Sequence, residues 1–144
     1  MRIKLSNKMK NREIKFRVWH HSFSRFLTPD EWFLALDGKL LFSDFTTDEW
    51  WIVDSDYTIQ QYTGLKDKNN KEIYEGDILV YSENDPTSTA DRTLVRVEYK
   101  VSGFCYRDLA TNKLDSIHAI LGIVEVDDEA EIIGNIFENL DLLN

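Results

Sequence analysis

The sequence predicts a mainly β protein of barrel type with few short helical turns. Short apolar runs separated by turn residues recur along the chain, and none shows a sustained helical stripe. The clearest run, residues 93–100, alternates apolar with charged side chains, so Val95, Val97 and Tyr99 share one face. Many short strands joined by turns are typical of small barrels.

The N-terminal half is predicted to hold several strands. Residues 14–18 alternate apolar with basic side chains, as in a half-buried strand. Residues 32–42 place Asp-Gly between two apolar runs, which predicts a hairpin with a type I′ turn. Residues 50–53 and 57–62 are further strand-like runs, and a single helical turn at 46–50 is an alternative to a loop.

The C-terminal half is predicted to continue in the same way. Besides 93–100, strands are expected at residues 78–81, 104–106, 121–126 and 131–139. The last of these should bend at Gly134. The segment 82–92 is polar and contains proline, which predicts a mobile loop.

Charge is distributed unevenly along the 144 residues, whose net charge is −9. Residues 1–17 hold seven Lys or Arg against one acid, so the remainder carries −15. We expect residues 1–11 to be a flexible basic arm and residues 12–144 a single domain. An acidic body repels nucleic-acid phosphates, which disfavours nucleic acid as a partner.

Neither a cofactor nor a catalytic site is predicted. Adjacent His20 and His21 would point to opposite faces of a strand, and His118 is distant in sequence. Cys105 lies between two aromatic residues, as a buried thiol would. A single cysteine, no secretory signal and no membrane-spanning run together predict a cytoplasmic protein that binds no membrane.

Tryptophan is concentrated in the first 51 residues, at Trp19, Trp32, Trp50 and Trp51. Core packing is the first explanation, because each indole can bury on the order of 200 Å². Four indoles exceed what a small subdomain can easily hide. We therefore consider these four as candidates for a protein-binding or self-association surface.

Residues 60–78 raise the question of an active site because they combine glycines, charges and aromatics. No nucleophile or metal set accompanies them, whereas Gly64, Asn70 and Gly76 suit a chain reversal. A Gly-Asp pair before a strand is common where an SH3-like barrel begins. If Gly76 has positive φ, Gly76→Val should cost a few kcal/mol.

Three blocks of the sequence resemble the YopX family of bacteriophage and prophage proteins: REIKFRVW at 12–19, QYTGLKDKNNKEIYEGDIL at 60–79 and EIIGNIFEN at 131–139. Asn70 stands where the family usually has Gly, and Leu140 where Pro is common. The positions that we assign to its structural motif are Gln60, Tyr62, Gly64, Leu65, Asp67, Asn70, Ile73, Glu75, Gly76 and Asp77.

The resemblance implies an aromatic-rich N-terminal β subdomain, residues 12–62, followed by an SH3-like barrel, residues 63–144, that begins near Glu75. It also implies a phage-derived gene in a bacterial cytoplasm. The family brings no catalytic residues and no determined function. Our leading hypothesis is a non-catalytic module that binds a protein partner or itself. The alternatives are a nucleic-acid-linked role, by basic-arm tether or acidic DNA mimicry, and an uncharacterised enzyme.

Overall fold

The computed structural model describes residues 13–44, 49–52, 56–81, 93–101, 103–116 and 130–143. Within them the chain forms a mainly β structure with one 3₁₀ helix at Leu140–Leu143. The strands are β1 (Phe16–His20), β2 (Arg25–Phe26), β3 (Trp32–Leu34), β4 (Leu40–Asp44), β5 (Glu49–Ile52), β6 (Tyr57–Lys66), β7 (Glu72–Tyr74), β8 (Asp77–Tyr81), β9 (Thr93–Lys100), β10 (Gly103–Asp108), β11 (Leu114–Ser116) and β12 (Glu131–Asn135).

These strands pair antiparallel in three sheets. The orders are β2-β1-β6-β7, β3-β4-β5 and β11-β10-β9-β8-β12. The five-stranded sheet curls into a half-barrel. The prediction of a mainly β fold with few helical turns is therefore confirmed.

Two hydrophobic clusters lie within these sheets. One joins Ile73 of β7 to Leu79, Val95 and Val97 of the half-barrel. The other joins Val18 and Leu27 to Leu40, with part of the three-stranded sheet packed against it. Each cluster draws on alternate residues of its strands, as the period of two requires.

The predicted hairpin at 32–42 is present, but its turn differs from the prediction. Only Gly38 has positive φ, +85°, so the loop is not type I′. The main chain closes the loop at Ala35 and Lys39, where the Ala35 N–H donates to the Lys39 carbonyl oxygen at 2.9 Å. Inside the loop, the Asp37 carboxylate accepts from the Lys39 N–H at 3.1 Å. The three-residue loop enclosed by this pair, 36–38, needs one left-handed residue, whereas a two-residue type I′ loop needs two.

Several strand boundaries differ from the predicted ones, because the pairing between strands decides where each strand begins and ends and the local sequence pattern does not. β1 begins at Phe16 and leaves Ile14 63% exposed. β6 runs beyond residue 62 to pair with β7, so the predicted division at 62 and 63 falls inside a strand. β2 and β11 were not predicted, because two or three residues show no period.

At the C-terminal end, β12 stops at Asn135, four residues before the predicted end of the strand. The register against β8 shifts between Ile132 and Gly134, where the bend was predicted. A Cβ on Gly134 would lie 2.4 Å from Asn139 Oδ1, so the glycine lets the returning chain approach. The predicted strand 121–126, the loop 82–92, the whole arm 1–11 and most of the turn 46–50 lie outside the described residues.

Across the described residues there is no helix of the length and apolarity that a bilayer crossing demands.

Candidate functional site

The charged half of the segment 60–78 is a reversal built around one buried carboxylate. Asp67 is 3% exposed, and its Oδ1 accepts from Asn69 N–H and Lys71 N–H, each at 2.9 Å. Its Oδ2 accepts from Ile132 N–H at 3.1 Å. Asn70 takes the left-handed φ of +64°, as expected of an Asn in place of Gly. Asp67 therefore shapes the turn and attaches it to β12.

Arg17 connects the two ends of the same segment. Its Nη2 donates to Asp77 Oδ1 at 2.6 Å and to Glu75 O at 3.3 Å, and its Nε donates to Gln60 Oε1 at 2.7 Å. Asp77, 1% exposed, also accepts from Tyr74 N–H through Oδ2 at 2.8 Å. One guanidinium thus joins β1 to β6 and to the start of β8.

Two aromatic rings flank that guanidinium. The Arg17 Cζ lies 4.5 Å from the Phe26 ring centroid and 4.8 Å from that of Tyr74. Planar guanidinium groups stack on aromatic faces while they donate at their edges. We call Arg17, Gln60, Tyr74 and Asp77 the arginine hub.

Because Gly76 has no side chain, Gln60 of the arginine hub can pack against its main chain. Its φ is +80°, its N–H donates to Val97 O at 2.9 Å, and its carbonyl accepts from Ile136 N–H at 2.9 Å. A Cβ at this position would lie 2.0 Å from Gln60 Nε2. Glycine is therefore required here both by conformation and by space.

The histidines and the cysteine occupy separate environments. His20 Nδ1 lies 3.4 Å from Asp56 Oδ2 and its ring stacks on Phe23, whereas His21 Nε2 contacts Thr58 Oγ1 at 2.9 Å. The Cys105 thiol donates to Glu98 O at 3.5 Å, and burial raises its pKa. His118 lies outside the described residues. Within the described ranges, no three His, Cys, Asp or Glu residues form a group that could hold a metal.

A cluster that sequence reasoning missed surrounds Glu98. Its carboxylate accepts from Arg107 Nε at 2.7 Å, Arg96 Nη2 at 2.5 Å and Lys100 Nζ at 3.0 Å. Glu98 is 9% exposed, and the hydrogen bond from Arg107 is the main cause that lowers its pKa to about 2. Alternation along β9 indicated that Arg96, Glu98 and Lys100 share a face, but only the pairing with β10 adds Arg107.

The four tryptophans do not form one surface. Trp19 is 5% exposed and stacks on Phe137 at 4.9 Å between centroids. Trp32 packs against the cluster that contains Val18. Trp50 and Trp51 are each 52% exposed. These positions correct the expectation that Trp19 contributes to a partner surface, because its ring fills the interior.

Strand register decides which exposed side chains lie together. Phe33 pairs with Leu41 and Leu41 with Ile52, so these three lie in one cross-strand row. The Phe33 ring contacts Trp50 at 6.3 Å between centroids. Trp51 pairs with Phe42 instead and continues the row that packs on the core. We call Phe33, Leu41, Trp50 and Ile52 the outer aromatic face.

A family model described as YopX protein matches residues 15–144, nearly the whole chain. The chain belongs to the YopX family. This confirms the resemblance drawn from the three sequence blocks. Among curated proteins, nothing matches the chain.

A solved structure similar to this YopX protein is the crystal structure of protein EF1440 from Enterococcus faecalis. The two are 28% identical, with a TM-score of 0.59, and the match covers 92% of this chain and 99% of that chain. The similarity supports the β architecture over nearly the whole length. The family and this structure carry no named activity, so the chemistry has to be argued from the side chains.

The first prediction distinguishes the steric cost of a side chain at Gly76 from the cost of its positive φ. Gly76→Ala should lower the free energy of unfolding by about 3 kcal/mol or more, because both positive φ and the collision with Gln60 act against it. Gly64→Ala is the matched control, with φ of +89° and no atom within 4 Å of its Cβ, and should cost only about 1 kcal/mol. Urea denaturation measures both. Equal losses would contradict the steric argument.

The second prediction concerns the hub. Arg17→Met should cost about 3 to 5 kcal/mol, because Asp77 would remain buried without its cation. Arg25→Met removes an arginine from an exposed pair with Glu31 and should cost much less. Thermal and urea denaturation test the difference. Equal stability of the two variants would show that the hub is not a major source of stability.

The third prediction is a pH dependence from Glu98. Since its pKa is lowered from 4.5 to about 2 on folding, its contribution is complete above pH 4.5 and is lost as the pH falls towards 2. The full contribution is at most about 3 kcal/mol. Urea denaturation from pH 6 to about 2.5 should show a shallower loss for Glu98→Gln than for the wild type. Glu49→Gln, on β5, controls for removing one carboxylate, and parallel profiles for all three proteins would contradict this assignment.

Proposed function

We propose that this YopX protein is a non-catalytic module that associates with a second copy of itself through the outer aromatic face and the edge of β5. The observation that carries the proposal is exposure: Phe33 is 55% exposed, Trp50 52% and Ile52 59% on one side of the three-stranded sheet. Large apolar side chains grouped in this way on a folded domain are typical of association surfaces.

The position of β5 supports a strand-mediated contact. β5 is the last strand in the order β3-β4-β5, and within the described residues its outer edge pairs with no other strand. All four of its residues are exposed. An open edge with an apolar face is a template for a further strand, and two copies of one edge pair naturally about a two-fold axis.

Local charge also favours a second copy over a strongly charged partner. The chain carries −9, but two carboxylates next to this sheet are paired locally, Glu31 with Arg25 and Asp37 with Lys39. Repulsion between distant surface charges is screened over about 8 Å at physiological salt. The four residues of the outer aromatic face are uncharged, and Glu49 at the start of β5 is the charge that lies nearest to them along that strand.

The available area sets the strength of the association. Phe33, Trp50 and Ile52 each leave on the order of 100 Å² accessible. Two copies would therefore bury about 600 Å² of side-chain surface, less than the roughly 1,200 Å² at the lower end of stable interfaces. Pairing of the β5 main chains adds to this area. We therefore propose weak, concentration-dependent dimers.

The other hypotheses receive less support from the described residues. A tether by the basic segment 2–17 loses two of its seven cations, because Lys15 pairs with Glu72 and Arg17 with Asp77. Catalysis lacks a described group of nucleophile, base and oxyanion donors of the kind that acyl or phosphoryl transfer needs. In this proposal the protein is phage-derived and acts in the bacterial cytoplasm.

The fourth prediction tests the association. Sedimentation velocity over a range of concentrations should show reversible dimers, and the double variant Trp50→Ser, Ile52→Ser should weaken them about tenfold or more, because it removes apolar surface from both partners. Leu36→Ser is the matched control, since Leu36 is fully exposed in the hairpin loop and outside the sheet. Its dimers should match those of the wild type.

A wild-type protein that stays monomeric at all accessible concentrations would overturn self-association. Dimers that the double variant leaves unchanged would overturn the assignment to β5. If the control weakens them as much as the double variant does, the contact involves the hairpin loop rather than the sheet.

A further inference from the structure

A groove of about 520 Å³ lies beside β9 and the turn that contains Gly76. Its lining includes Gln60 of the arginine hub, the neighbouring Gly76, and Arg96, Val97, Glu98 and Lys100 from β9. The polar side chains of β9 alternate with those of Val95 and Val97, which belong to the apolar cluster. None of the residues that line the groove belongs to the outer aromatic face.

The charge of the groove is opposite to that of the protein. Arg96, Lys100 and Arg107 line it, against Glu75 and Glu98, whereas the chain as a whole carries −9. Three cations converge on the single Glu98 carboxylate, which leaves an excess of positive charge beside it. With Glu75 and Glu98 against these three cations, the charged groups that line the groove sum to about +1.

A buried donor in the groove lining has no acceptor. Gln60 is 1% exposed, and its Oε1 accepts from Arg17 Nε, which determines the orientation of the amide. Its Nε2 is buried without a hydrogen-bond partner in the described part of the chain. A buried donor left unpaired costs about 1 to 3 kcal/mol, so such groups are normally satisfied by a water or a ligand.

We propose that this groove binds the phosphate group of a small molecule, with Gln60, Arg96 and Lys100 as donors. Amide, guanidinium and ammonium groups all donate hydrogen bonds, so the ligand must present acceptor oxygens and negative charge. Phosphate offers more acceptor oxygens than a carboxylate, and the volume exceeds that of the free ion. The source of the phosphate is therefore either inorganic phosphate or a small phosphate monoester. This proposal goes beyond self-association and does not depend on it.

Binding is tested by titration of the whole protein with inorganic phosphate and, separately, with glycerol 3-phosphate, followed by ¹H–¹⁵N NMR. Both should shift the amide signals of residues that line the groove, such as Gln60, Gly76 and Lys100, in a saturable way. Tighter binding of glycerol 3-phosphate would identify a monoester as the source. Tighter binding of inorganic phosphate would identify the free ion.

Two variants assign the donors. Lys100→Gln should weaken phosphate binding about tenfold, as expected for one charge-assisted hydrogen bond. Gln60→Glu keeps the oxygen that accepts from Arg17 but replaces the unpaired donor with a negative oxygen, and should abolish binding. Lys39→Gln, in the hairpin loop, removes the same charge elsewhere and should leave binding unchanged. If Gln60→Glu does not fold, Lys100→Gln alone decides.

Three results would overturn the proposal. These are the absence of saturable shifts at millimolar phosphate, equal shifts with sodium chloride at matched ionic strength, and equal weakening by Lys39→Gln and Lys100→Gln. None of them bears on the dimer, which is measured by sedimentation, so failure of this site is distinguishable from failure of the proposed function.

Discussion

The fold depends on the ion pair between Arg17 and the buried Asp77. A carboxylate that is 1% exposed is tolerated only with a cation and further donors, and Arg17 and the Tyr74 N–H supply them. Arg17 belongs to β1 and Asp77 begins β8, so the pair connects the sheet that contains β1 to the half-barrel. The rings of Phe26 and Tyr74 flank the Arg17 guanidinium at 4.5 Å and 4.8 Å from its Cζ.

Asp67, Gly76 and Asp77, which belong to the family motif, therefore act mainly through contacts within the protein. Asp67 bonds the turn to β12, Gly76 admits Gln60, and Asp77 receives Arg17. Asp67 and Asp77 accept hydrogen bonds from the protein at both carboxylate oxygens, which leaves these two groups little capacity for a substrate. The conspicuous charges of the segment 60–78 thus account for structure, with the free amide hydrogens of Gln60 as the exception on which the phosphate proposal depends.

Within the described part of the chain, the two surfaces that we propose for interaction differ in chemistry. The outer aromatic face is apolar, belongs to the small three-stranded sheet and suits another protein surface. The groove beside Glu98 is cationic, belongs to the half-barrel and suits a small anion. Because they draw on different sheets, one protein can use both at once, and a change in one need not alter the other.

The sequence by itself determined what depends on neighbouring residues. Period-two alternation predicted the strand at 93–100, paired apolar runs predicted the hairpin, and glycine chemistry marked Gly76 as part of a chain reversal. These succeed because backbone geometry and side-chain alternation act over a few residues. The three family blocks were recognisable for the same reason, since their spacing in the sequence is itself the signal.

Only the tertiary structure decided which distant residues meet. Trp50 and Trp51 are the same residue type at adjacent positions, so the local sequence does not distinguish them. Strand register places Trp50 on the outer aromatic face and Trp51 beside Phe42 on the opposite face of the sheet. Likewise the alternation at 14–18 marks Arg17 only as a basic residue on the polar side of a strand, whereas the pairing of β1 with β6 brings it to Asp77, sixty residues away. Side-chain partners are set by pairing and packing across the whole chain, because the favourable energy of a buried contact depends on position in space rather than in sequence.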